Sequence, residues 1–437
     1  MIHLGHILII DEDGTRGEAM LARVRALGYE GLVAGTAAAA IEAVARTRPD
    51  IVLVGPTPDR EQIALGAAIK AAPGGHEIPV CLMAPDRRPA LRRDALAAGI
   101  DDMLAPPLSE LKLSARLRPL LRLSVMHQEL HLRAGTARRF GLSIDETVER
   151  DRVEAGYPLL VVGPEGEAVS RPLAEAKIAL AADPFAAEEM LDRSNFDAAV
   201  LAPETSPHAY LDLCAQARNN PRLFNLPVLM LGGDEGPSEE DSYRNGASGY
   251  FARPADDLEL RSAVLSLVRR QRLRWAIRQA LMKTLAGDTR DEGTGVYRRA
   301  FLDSYLAERV EFARSHGRHL SVIFVRIPDV ENIRQRFGEP QAAHLRLQLA
   351  QWITGLLRGE DLTARYDDNE FCVVLPDTPA AEAAIVTHRI GGVLANTDFA
   401  VKDVYQPVKV WVFVGCADLR TDDDVATLIQ RGRQAVV

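Results

Sequence analysis

The sequence has no apolar run that approaches the length of a membrane-spanning helix. Such a helix needs about 18 uninterrupted apolar residues, and polar residues interrupt every apolar stretch of this chain earlier than that. An apolar stretch lies within residues 1–12, but His3, His6 and the acidic cluster at Asp11 argue against a signal peptide. We therefore expect a cytoplasmic protein that does not insert into membranes.

Cysteine and net positive charge are also scarce. The formal net charge is −9, so no domain-wide basic surface is indicated and nucleic acid is not an expected partner. The four cysteines are widely spaced and mostly lie in apolar runs, which favours buried free thiols over disulfides or metal ligands. They are Cys81, Cys214, Cys372 and Cys416.

The sequence does contain an internal duplication. A chain of 437 residues is long enough for two to four domains. Residues 6–123 and 157–270 both alternate short apolar strands with amphipathic helical patterns, which is typical of doubly wound α/β domains. Matching Asp, Gly and Pro landmarks recur at one offset, because 197 − 50, 246 − 99 and 254 − 107 all equal 147. The predicted strands are His6–Ile10, Asp50–Val54, Ile78–Met83 and Asp102–Ala105, with a weaker one near Leu32, and then Leu159–Val162, Asp197–Leu201, Leu226–Leu231 and Gly249–Ala252.

Both copies resemble the receiver domains of response regulators, which have the CheY-like (flavodoxin-like) α/β fold. A working receiver needs an acidic pair for Mg²⁺, a nucleophilic Asp, a hydroxyl side chain and a Lys. The resemblance places the nucleophile on Gly55 and Ala202, so no phospho-aspartate can form there and we expect phosphorylation of neither copy. The hydroxyl falls on Ala84 and Gly232, the Lys on Pro106 and Arg253, and the acidic pair of the second copy on Gly163-Pro164.

The first copy keeps an acidic cluster at the metal-binding position. Asp11 and Glu12 match the acidic pair, and Asp13 follows them. Three carboxylates could hold a divalent cation. We favour the alternative that they are solvated loop carboxylates, and we expect no metal site.

Two charged helical segments connect the domains. In Leu111–Arg139 and Leu258–Leu285, basic residues are interleaved with apolar ones. A membrane or nucleic-acid surface is one interpretation, but we favour helices that pack on their neighbours. We predict a first degenerate receiver with an extended last helix (1–140), a second degenerate receiver (153–270), a helical linker (271–287) and a third domain (288–437).

The third domain contains a strong hairpin signal. The turn formers Asp367-Asp368-Asn369 lie between the predicted strands Leu362–Tyr366 and Phe371–Leu375. This arrangement resembles the signature hairpin of the GGDEF family of diguanylate cyclases, which implies a nucleotidyl-cyclase-like α+β domain. A similar string, Gly232-Gly-Asp-Glu-Gly236, lies after a strand of the second copy, and we expect a loop there without chemistry. Other predicted elements are the strands Leu320–Ile327 and Val408–Gly415 and the helices Gln341–Leu357 and Ala380–Leu394.

The residues on which a cyclase depends are replaced. Cyclisation of GTP needs metal ions that neutralise triphosphate charge, but the family's metal-binding Asp-x-Asp falls on Arg326-Ile327-Pro328. A guanidinium at this position repels a cation, and carboxylates in the turn repel a triphosphate. The resemblance therefore implies no catalytic residue, no required cofactor and no enzymatic activity. The other degenerate positions are Arg334 and Ala343 for guanine recognition and Asp367, Asp368 and Asn369 in the turn, whereas Glu370 and Phe371 match the family.

A second family motif is intact upstream of the hairpin. Arg358-Gly-Glu-Asp361 matches the Arg-x-x-Asp motif of the family's product-binding site, and Arg389 matches an additional contact with the same ligand. An arginine fork suits guanine O6 and N7, and a carboxylate accepts from guanine N1–H and N2–H. The alternative is an ordinary surface salt bridge between Arg358 and Asp361. We favour a cyclic di-GMP site made of Arg358, Asp361 and Arg389.

Taken over its whole length, the chain resembles response regulators that have two receivers followed by a GGDEF domain. This resemblance implies a non-catalytic cyclic di-GMP effector or adaptor that forms homodimers through its receivers and docks partner proteins. The non-catalytic relatives imply a role in cell-cycle proteolysis and recruitment to a cell pole. The alternatives are a weakly active diguanylate cyclase and a ligand-independent scaffold.

Overall fold

The computed structural model describes residues 4–56, 61–84, 89–148, 153–204, 207–220, 222–233 and 236–436. The chain forms two compact units. One unit consists of residues 5–124 and 148–276, and the other consists mainly of residues 125–147 and 277–436. This division passes through two long helices, and the domain boundaries expected from the sequence stay predictions.

The first unit contains two parallel α/β sheets, the first of which is built by residues 6–104. Its strand order is β2-β1-β3-β4-β5, an order that is typical of flavodoxin-like folds. The strands are β1 (His6–Ile10), β2 (Glu30–Ala34), β3 (Ile51–Val54), β4 (Val80–Met83) and β5 (Asp102–Leu104), all parallel. The helices are α1 (Gly14–Ala26), α2 (Ala37–Thr47), α3 (Glu61–Ala71), α4 (Pro89–Ala97) and α5 (Glu110–Arg138).

The second α/β copy repeats this topology with the strand order β7-β6-β8-β9-β10. Its strands are β6 (Pro158–Val162), β7 (Lys177–Ala181), β8 (Ala198–Leu201), β9 (Val228–Gly232) and β10 (Gly249–Ala252). Its helices are α6 (Gly166–Ser170), α7 (Pro184–Arg193), α8 (Pro207–Asn219), α9 (Glu239–Arg244) and α10 (Asp257–Lys283). Strands β8 and β3 begin at 198 and 51, and 198 − 51 reproduces the offset of 147. The duplication expected from the sequence is therefore visible in the fold.

The predicted strands of both copies agree with the structure to within two residues at either end, and one strand was missed. Strand β7 is absent from the prediction because it lies at the edge of its sheet, where Lys177 is exposed and only Ala181 is buried. Central strands such as β3 are buried along their whole length and read as continuous apolar runs.

The second unit contains an antiparallel sheet with the strand order β12-β13-β11-β14. Its strands are β11 (Leu320–Arg326), β12 (Leu362–Asp367), β13 (Glu370–Pro376) and β14 (Phe413–Asp418). Its helices are α11 (Arg299–Ser315), α12 (Asp329–Phe337), α13 (Glu339–Gly355), α14 (Ala380–Ala395) and α15 (Val425–Gln434). Successive side chains of β11 alternate between two cores, since Ile323 and Val325 pack with α12 to α14, whereas Val322 and Phe324 pack with α11 and α15.

One expectation about this part of the chain is only partly correct. The last strand begins at Phe413 rather than Val408, because pairing with β11 runs from Phe413 to Asp418, while Val408 forms an isolated bridge with Phe399.

The four cysteines of the chain are free, as predicted. Three of them are buried, and Cys416 on β14 is half-buried. Burial raises the pKa of the Cys214 thiol to about 11. Among the described residues, no helix is both long and apolar enough to cross a membrane.

The C-terminal half of α5 packs on the antiparallel sheet domain through buried charges. The carboxylate of Glu129, which is fully buried, accepts a hydrogen bond from the Tyr305 hydroxyl at 2.6 Å. Arg309 Nε lies 3.0 Å from Oε1 of Glu129, and Arg133 Nε lies 3.2 Å from Oε2. Two guanidinium groups and a hydroxyl therefore compensate one buried carboxylate, which a buried ion requires.

The network continues from Arg309 to Asp377, which follows β13. The Asp377 carboxylate lies 3.0 Å from Arg309 Nη2 and 2.6 Å from Arg318 Nε, and all three side chains are at most 6% exposed. Burial alone would raise the pKa of Asp377, but Arg318 and Arg309 outweigh it and hold the pKa below its ordinary value. The ionised form of Asp377 is thus part of the folded structure.

We expect Asp377→Asn to destabilise the protein by about 3–5 kcal/mol, because it leaves two buried guanidinium groups without their shared carboxylate. The measurement is chemical unfolding at pH 7. Since the folded pKa is lowered, the contribution of Asp377 is complete above about pH 4 and is lost as the pH falls through the folded pKa. The difference in the free energy of unfolding between wild type and Asp377→Asn should therefore become smaller in acid. Asp288→Asn, at a side chain that is 79% exposed, is the control and should change little. Equal stability of wild type and Asp377→Asn would contradict this account.

Candidate functional site

The Arg358–Asp361 segment forms a tight turn between α13 and β12. The N–H of Asp361 donates to the carbonyl oxygen of Arg358 at 3.2 Å, and the N–H of Arg358 donates to Asp361 Oδ2 at 2.8 Å. A Cβ added at Gly359 would lie 3.6 Å from both Arg278 Cγ and Met126 Cε, so the turn also packs on α10 and α5. Asp361 therefore shapes the turn through a main-chain contact.

Helix α14 brings a second arginine to this turn. Arg389 Nη2 donates to the carbonyl oxygen of Leu356 at 2.7 Å, and Arg358 Nη2 lies 3.5 Å from Glu382 Oε2. Glu382 and Arg389 are seven residues apart and share one face of α14. The three residues predicted from the sequence, Arg358, Asp361 and Arg389, thus lie in one neighbourhood.

The charges of this neighbourhood influence one another. Burial and then the like charge of Arg358 lower the pKa of Arg389, while Asp361 opposes them. Burial would also lower the pKa of Arg358, but Asp361, Glu360 and Glu382 outweigh it and raise the pKa. The turn therefore presents two neighbouring guanidinium groups, of which Arg389 has the weaker anionic compensation.

The hairpin turn carries two carboxylates, those of Asp367 and Asp368. Asp367 ends β12, Asp368 and Asn369 form the turn, and Asp367 Oδ1 accepts from the N–H of Asp368 at 2.8 Å. Asp368 Oδ1 lies 2.6 Å from Arg365 Nη2 and 3.7 Å from Arg346 Nη1. The acidic turn is therefore compensated by the protein's own arginines.

Glu370 is held by two guanidinium groups. Its side chain is 4% exposed, with Oε1 3.1 Å from Arg326 Nη2 and Oε2 2.9 Å from Arg433 Nη2. Arg326 ends β11 directly opposite Glu370 on β13. The residues of this site do not fit the metal ions that a diguanylate cyclase needs, because cations of the chain already neutralise the carboxylate that matches the family. In the described part of the chain, no group of three or more acidic, His or Cys side chains is arranged to hold a metal.

Three further positions that the resemblance assigns to the cyclase site lie on or next to α12 and α13. Pro328 precedes α12 as its N-cap residue, and Arg334 on α12 makes two hydrogen bonds to Glu331, at 2.8 and 2.7 Å. Ala343 is a half-buried residue of α13. The charge of Arg334 also interacts with Asp368 of the hairpin turn.

In the first α/β copy, Arg16 binds Asp11 of the acidic cluster. The expectation that Asp11 is a solvated loop carboxylate is therefore wrong. Asp11 is not solvated: it is 2% exposed, and it accepts from Arg16 Nε at 2.7 Å and Arg16 Nη2 at 2.6 Å. Glu12 and Asp13 are exposed, and Asp13 caps α1. Asp11 is buried because α1 places Arg16 five residues later over the ends of β1 and β3, where its Nη2 also donates to the carbonyl oxygen of Pro56.

The positions that the receiver resemblance assigns to the nucleophile are Gly55 and Ala202, and a side chain at Gly55 would clash. A Cβ on Gly55 would lie 2.6 Å from Asp11 Oδ2 and 2.9 Å from the carbonyl oxygen of Ile10. In the second copy Ala202 is buried, and Arg253 Nη1 forms an ion pair with Glu165 Oε2 at 2.6 Å. Gly55 therefore has no room for a larger side chain beside Asp11, and neither position carries a carboxylate.

The Gly232–Gly236 string of the second copy follows β9. Gly232 is required at the end of this strand because the Tyr250 ring fills the space that a side chain would need. Residues 234 and 235 lie outside the described residues, so the loop expected there stays a prediction.

Sequence reasoning missed the arginines that complete these sites. Arg433 on α15 and Arg346 on α13 are separated by 63 and 22 residues from the carboxylates that they approach, Glu370 and Asp368. Neither contact has a local signal in the sequence, because each depends on how a distant helix packs against the hairpin.

Comparisons with known proteins agree with this architecture. The family model "Diguanylate cyclase, GGDEF domain" matches residues 288–437. The response regulator PleD of Caulobacter vibrioides is 25% identical over 437 residues, which cover 98% of this chain and 96% of PleD.

Solved structures provide further similarities. One is the diguanylate cyclase SiaD from Pseudomonas aeruginosa, in complex with its activator SiaC (23% identity, TM-score 0.32); the match covers 33% of this chain and 55% of SiaD, so it spans about half of that chain. Another is the GGDEF domain of DgcB from Caulobacter crescentus in complex with c-di-GMP (17% identity, TM-score 0.33); the match covers 34% of this chain and 86% of that chain. The chain thus carries a GGDEF domain at residues 288–437 and is similar over nearly its whole length to the response regulator PleD.

Proposed function

We propose that this protein is a non-catalytic cyclic di-GMP effector that binds its ligand at Arg358, Asp361 and Arg389. The observation that carries the proposal is the turn itself, in which Asp361 is fixed by the main chain of Arg358 and Arg389 of α14 donates to the Leu356 carbonyl oxygen just before the turn. Such a pair suits the phosphates and the guanine O6 and N7 acceptors of the ligand. The match of residues 288–437 to the GGDEF family supports the choice of nucleotide.

The absence of catalysis is the second part of the proposal. Support comes from the ion pairs of Glu370 with Arg326 and Arg433, which lie where the resemblance to the family places metal ions. A cation that entered this site would lie beside the guanidinium groups of Arg326 and Arg433, and Coulomb repulsion would oppose its binding. We therefore expect an effector that responds to the nucleotide and does not synthesise it.

The two α/β copies act in this proposal as degenerate receivers that dock proteins. Their nucleophile positions are Gly55 and Ala202, so docking would be independent of phosphorylation. The proposed assembly is a homodimer formed through these receivers. By resemblance to non-catalytic regulators of this architecture, the docked partners would belong to cell-cycle proteolysis, with recruitment to a cell pole.

Titration of cyclic di-GMP into wild type and Arg358→Ala by calorimetry tests the ligand. Loss of a bidentate contact removes about 1–3 kcal/mol, so we expect about tenfold or greater weakening in the variant. Arg336→Ala, at an exposed arginine of α12 in the same domain, removes the same charge and should bind like wild type. Absence of heat from well-folded wild type would favour the ligand-independent scaffold.

Incubation with GTP and either Mg²⁺ or Mn²⁺ tests the enzymatic alternative. We expect no cyclic di-GMP by chromatography after long incubation at high protein concentration, because Arg326 replaces a metal ligand. Product formation above a no-enzyme control, lost in Glu370→Gln, would instead establish a weak cyclase.

Restoring the acceptor carboxylate in the first receiver should not restore phosphorylation. We expect Gly55→Asp to take up no phosphate from acetyl phosphate with Mg²⁺, as followed by mass spectrometry, and to destabilise the protein by about 1–3 kcal/mol from overpacking against Asp11. Gly35→Asp is the control, since a Cβ there meets no atom within 4 Å. Phosphorylation of the Gly55→Asp protein would show that a metal ion can displace Arg16 from the Asp11 carboxylate.

A further inference from the structure

One edge of the antiparallel sheet in the third domain is open. The order β12-β13-β11-β14 places β12 and β14 at the two edges. The β12 edge is covered, because the N–H of Tyr297 donates to the carbonyl oxygen of Thr363 at 3.1 Å and the N–H of Arg365 donates to that of Tyr297 at 2.9 Å. Among residues 236–436, β14 has a hydrogen-bonded strand neighbour only on its β11 side. The main chain on its other side is therefore available to another strand.

The alternation of main-chain groups along β14 identifies the residues that face outward. The N–H of Leu419 donates to the carbonyl oxygen of Leu320 on β11 at 2.7 Å, and the pairing register repeats this contact at every second residue back to Phe413. In an antiparallel pair, the residues between these hydrogen-bonded positions point their N–H and C=O groups away from the partner strand. Val414 and Cys416 therefore present their main-chain groups to the open edge.

The open edge has defined limits at both ends. The N–H of Trp411 donates to Asp329 Oδ2, in the segment that follows β11, at 2.6 Å. Because this N–H is already bonded, the set of outward residues begins at Val412. At the other end, the carbonyl oxygen of Asp418 accepts a hydrogen bond from Arg431 of α15. Three alternate residues thus offer main-chain donors and acceptors along this edge.

The open edge lacks the protection that natural edge strands commonly have. Lysine and proline guard many such strands, and the exposed Lys177 at the start of β7 is an example in this chain. Residues 410–417, in contrast, contain no charged residue and no proline. Their two aromatic side chains are exposed, that of Trp411 by 76% and that of Phe413 by 39%. An uncharged, apolar and exposed edge of this kind favours pairing with another strand.

The charges around this edge favour a second copy of the chain in an antiparallel orientation. Each copy carries a formal net charge of −9, so two copies repel least along an uncharged strip. Lys409 and Asp418 bound the strip and are 72% and 42% exposed, and their ion pairs within the chain are long, at 3.8 Å to Asp398 and 3.9 Å to Arg431. Arg431 also pairs with Asp423. Antiparallel pairing brings Lys409 of one copy to the Asp418 end of the other, whereas parallel pairing would bring like charges together.

We propose that β14 pairs with β14 of a second copy of this chain across a two-fold axis at Val414. In this register Val414 lies opposite its symmetry mate, and Val412 lies opposite Cys416 of the other copy. The outward residues then form hydrogen-bonded pairs, each of which exchanges two main-chain hydrogen bonds. A contact of this isologous kind closes after two copies. It requires no ligand, and it is additional to the receiver-mediated homodimer proposed above.

Sedimentation velocity of the full-length protein over a series of concentrations, without nucleotide, tests the pairing. Phe413→Lys places a lysine of each copy beside the axis, and Val414→Pro removes an outward N–H at a position where an edge strand tolerates proline. We expect each variant to weaken self-association about tenfold or more relative to wild type. Ile385→Lys, at a 66% exposed apolar residue of α14, adds the same charge and should associate like wild type.

A disulfide cross-link tests the position of the axis. Residues of a hydrogen-bonded antiparallel pair lie about 5.5 Å apart between their Cα atoms, which a disulfide can span. Oxidised Val414→Cys should therefore migrate as a covalent dimer in non-reducing electrophoresis. Two controls should not: wild type, which retains Cys416, and Tyr405→Cys, at a fully exposed side chain away from the axis.

Thermal unfolding of each variant would confirm that it is folded before its association is measured. A homodimer held by the receivers alone would be insensitive to the substitutions in β14. Equal self-association of wild type, Phe413→Lys and Val414→Pro, including its absence from all three, would overturn the inference. Cross-linking of Val414→Cys that does not exceed that of Tyr405→Cys would also overturn it, and would leave the edge to an extended segment of a different protein.

Discussion

The contact between Glu370 and its two arginines joins β13 to the end of β11 and to α15. A buried carboxylate needs a compensating positive charge, and here β11 supplies Arg326 while α15 supplies Arg433. A metal ion would provide the same compensation from solution, whereas arginines provide it permanently. Because the compensating charges are covalently part of the chain, the hairpin needs no bound ion to neutralise Glu370.

A buried carboxylate is also paired with an arginine in the first α/β copy. Asp11 lies at the end of β1, and Arg16 binds it with two hydrogen bonds. Burial would penalise Asp11 strongly if Arg16 were absent. Two domains of different topology thus share one arrangement, in which a buried carboxylate at the end of a strand pairs with arginines of the chain.

Much of the architecture could be predicted because its signals are local. Continuous apolar runs such as Ile51–Val54 identify central strands of parallel sheets, and the Asp-Asp-Asn turn between two β-rich runs identifies the hairpin. The edge strand Lys177–Ala181 lacks such a run and was missed. The positions of Arg358, Asp361 and Arg389 could be proposed from a motif, but the partners of Glu370 could not, since contact between residues 63 positions apart depends on how α15 packs. The burial of Asp11 likewise depends on a helix that carries Arg16 back over the sheet.

The turn at Arg358–Asp361 also contacts a residue that lies far outside residues 288–437 in the sequence. Arg133, on the C-terminal half of α5, is 3% exposed and donates a hydrogen bond to the carbonyl oxygen of Glu360 within this turn. Any residue at position 360 would offer the same carbonyl oxygen. The contact therefore fixes the backbone of the turn and does not depend on the side chain at this position. Thermodynamic linkage then requires reciprocity: if α5 packing alters the affinity of the turn for a ligand, that ligand alters the stability of α5 packing by the same free energy. The stability of α5 packing and the ligand affinity of the turn would then be two measurements of the same equilibrium.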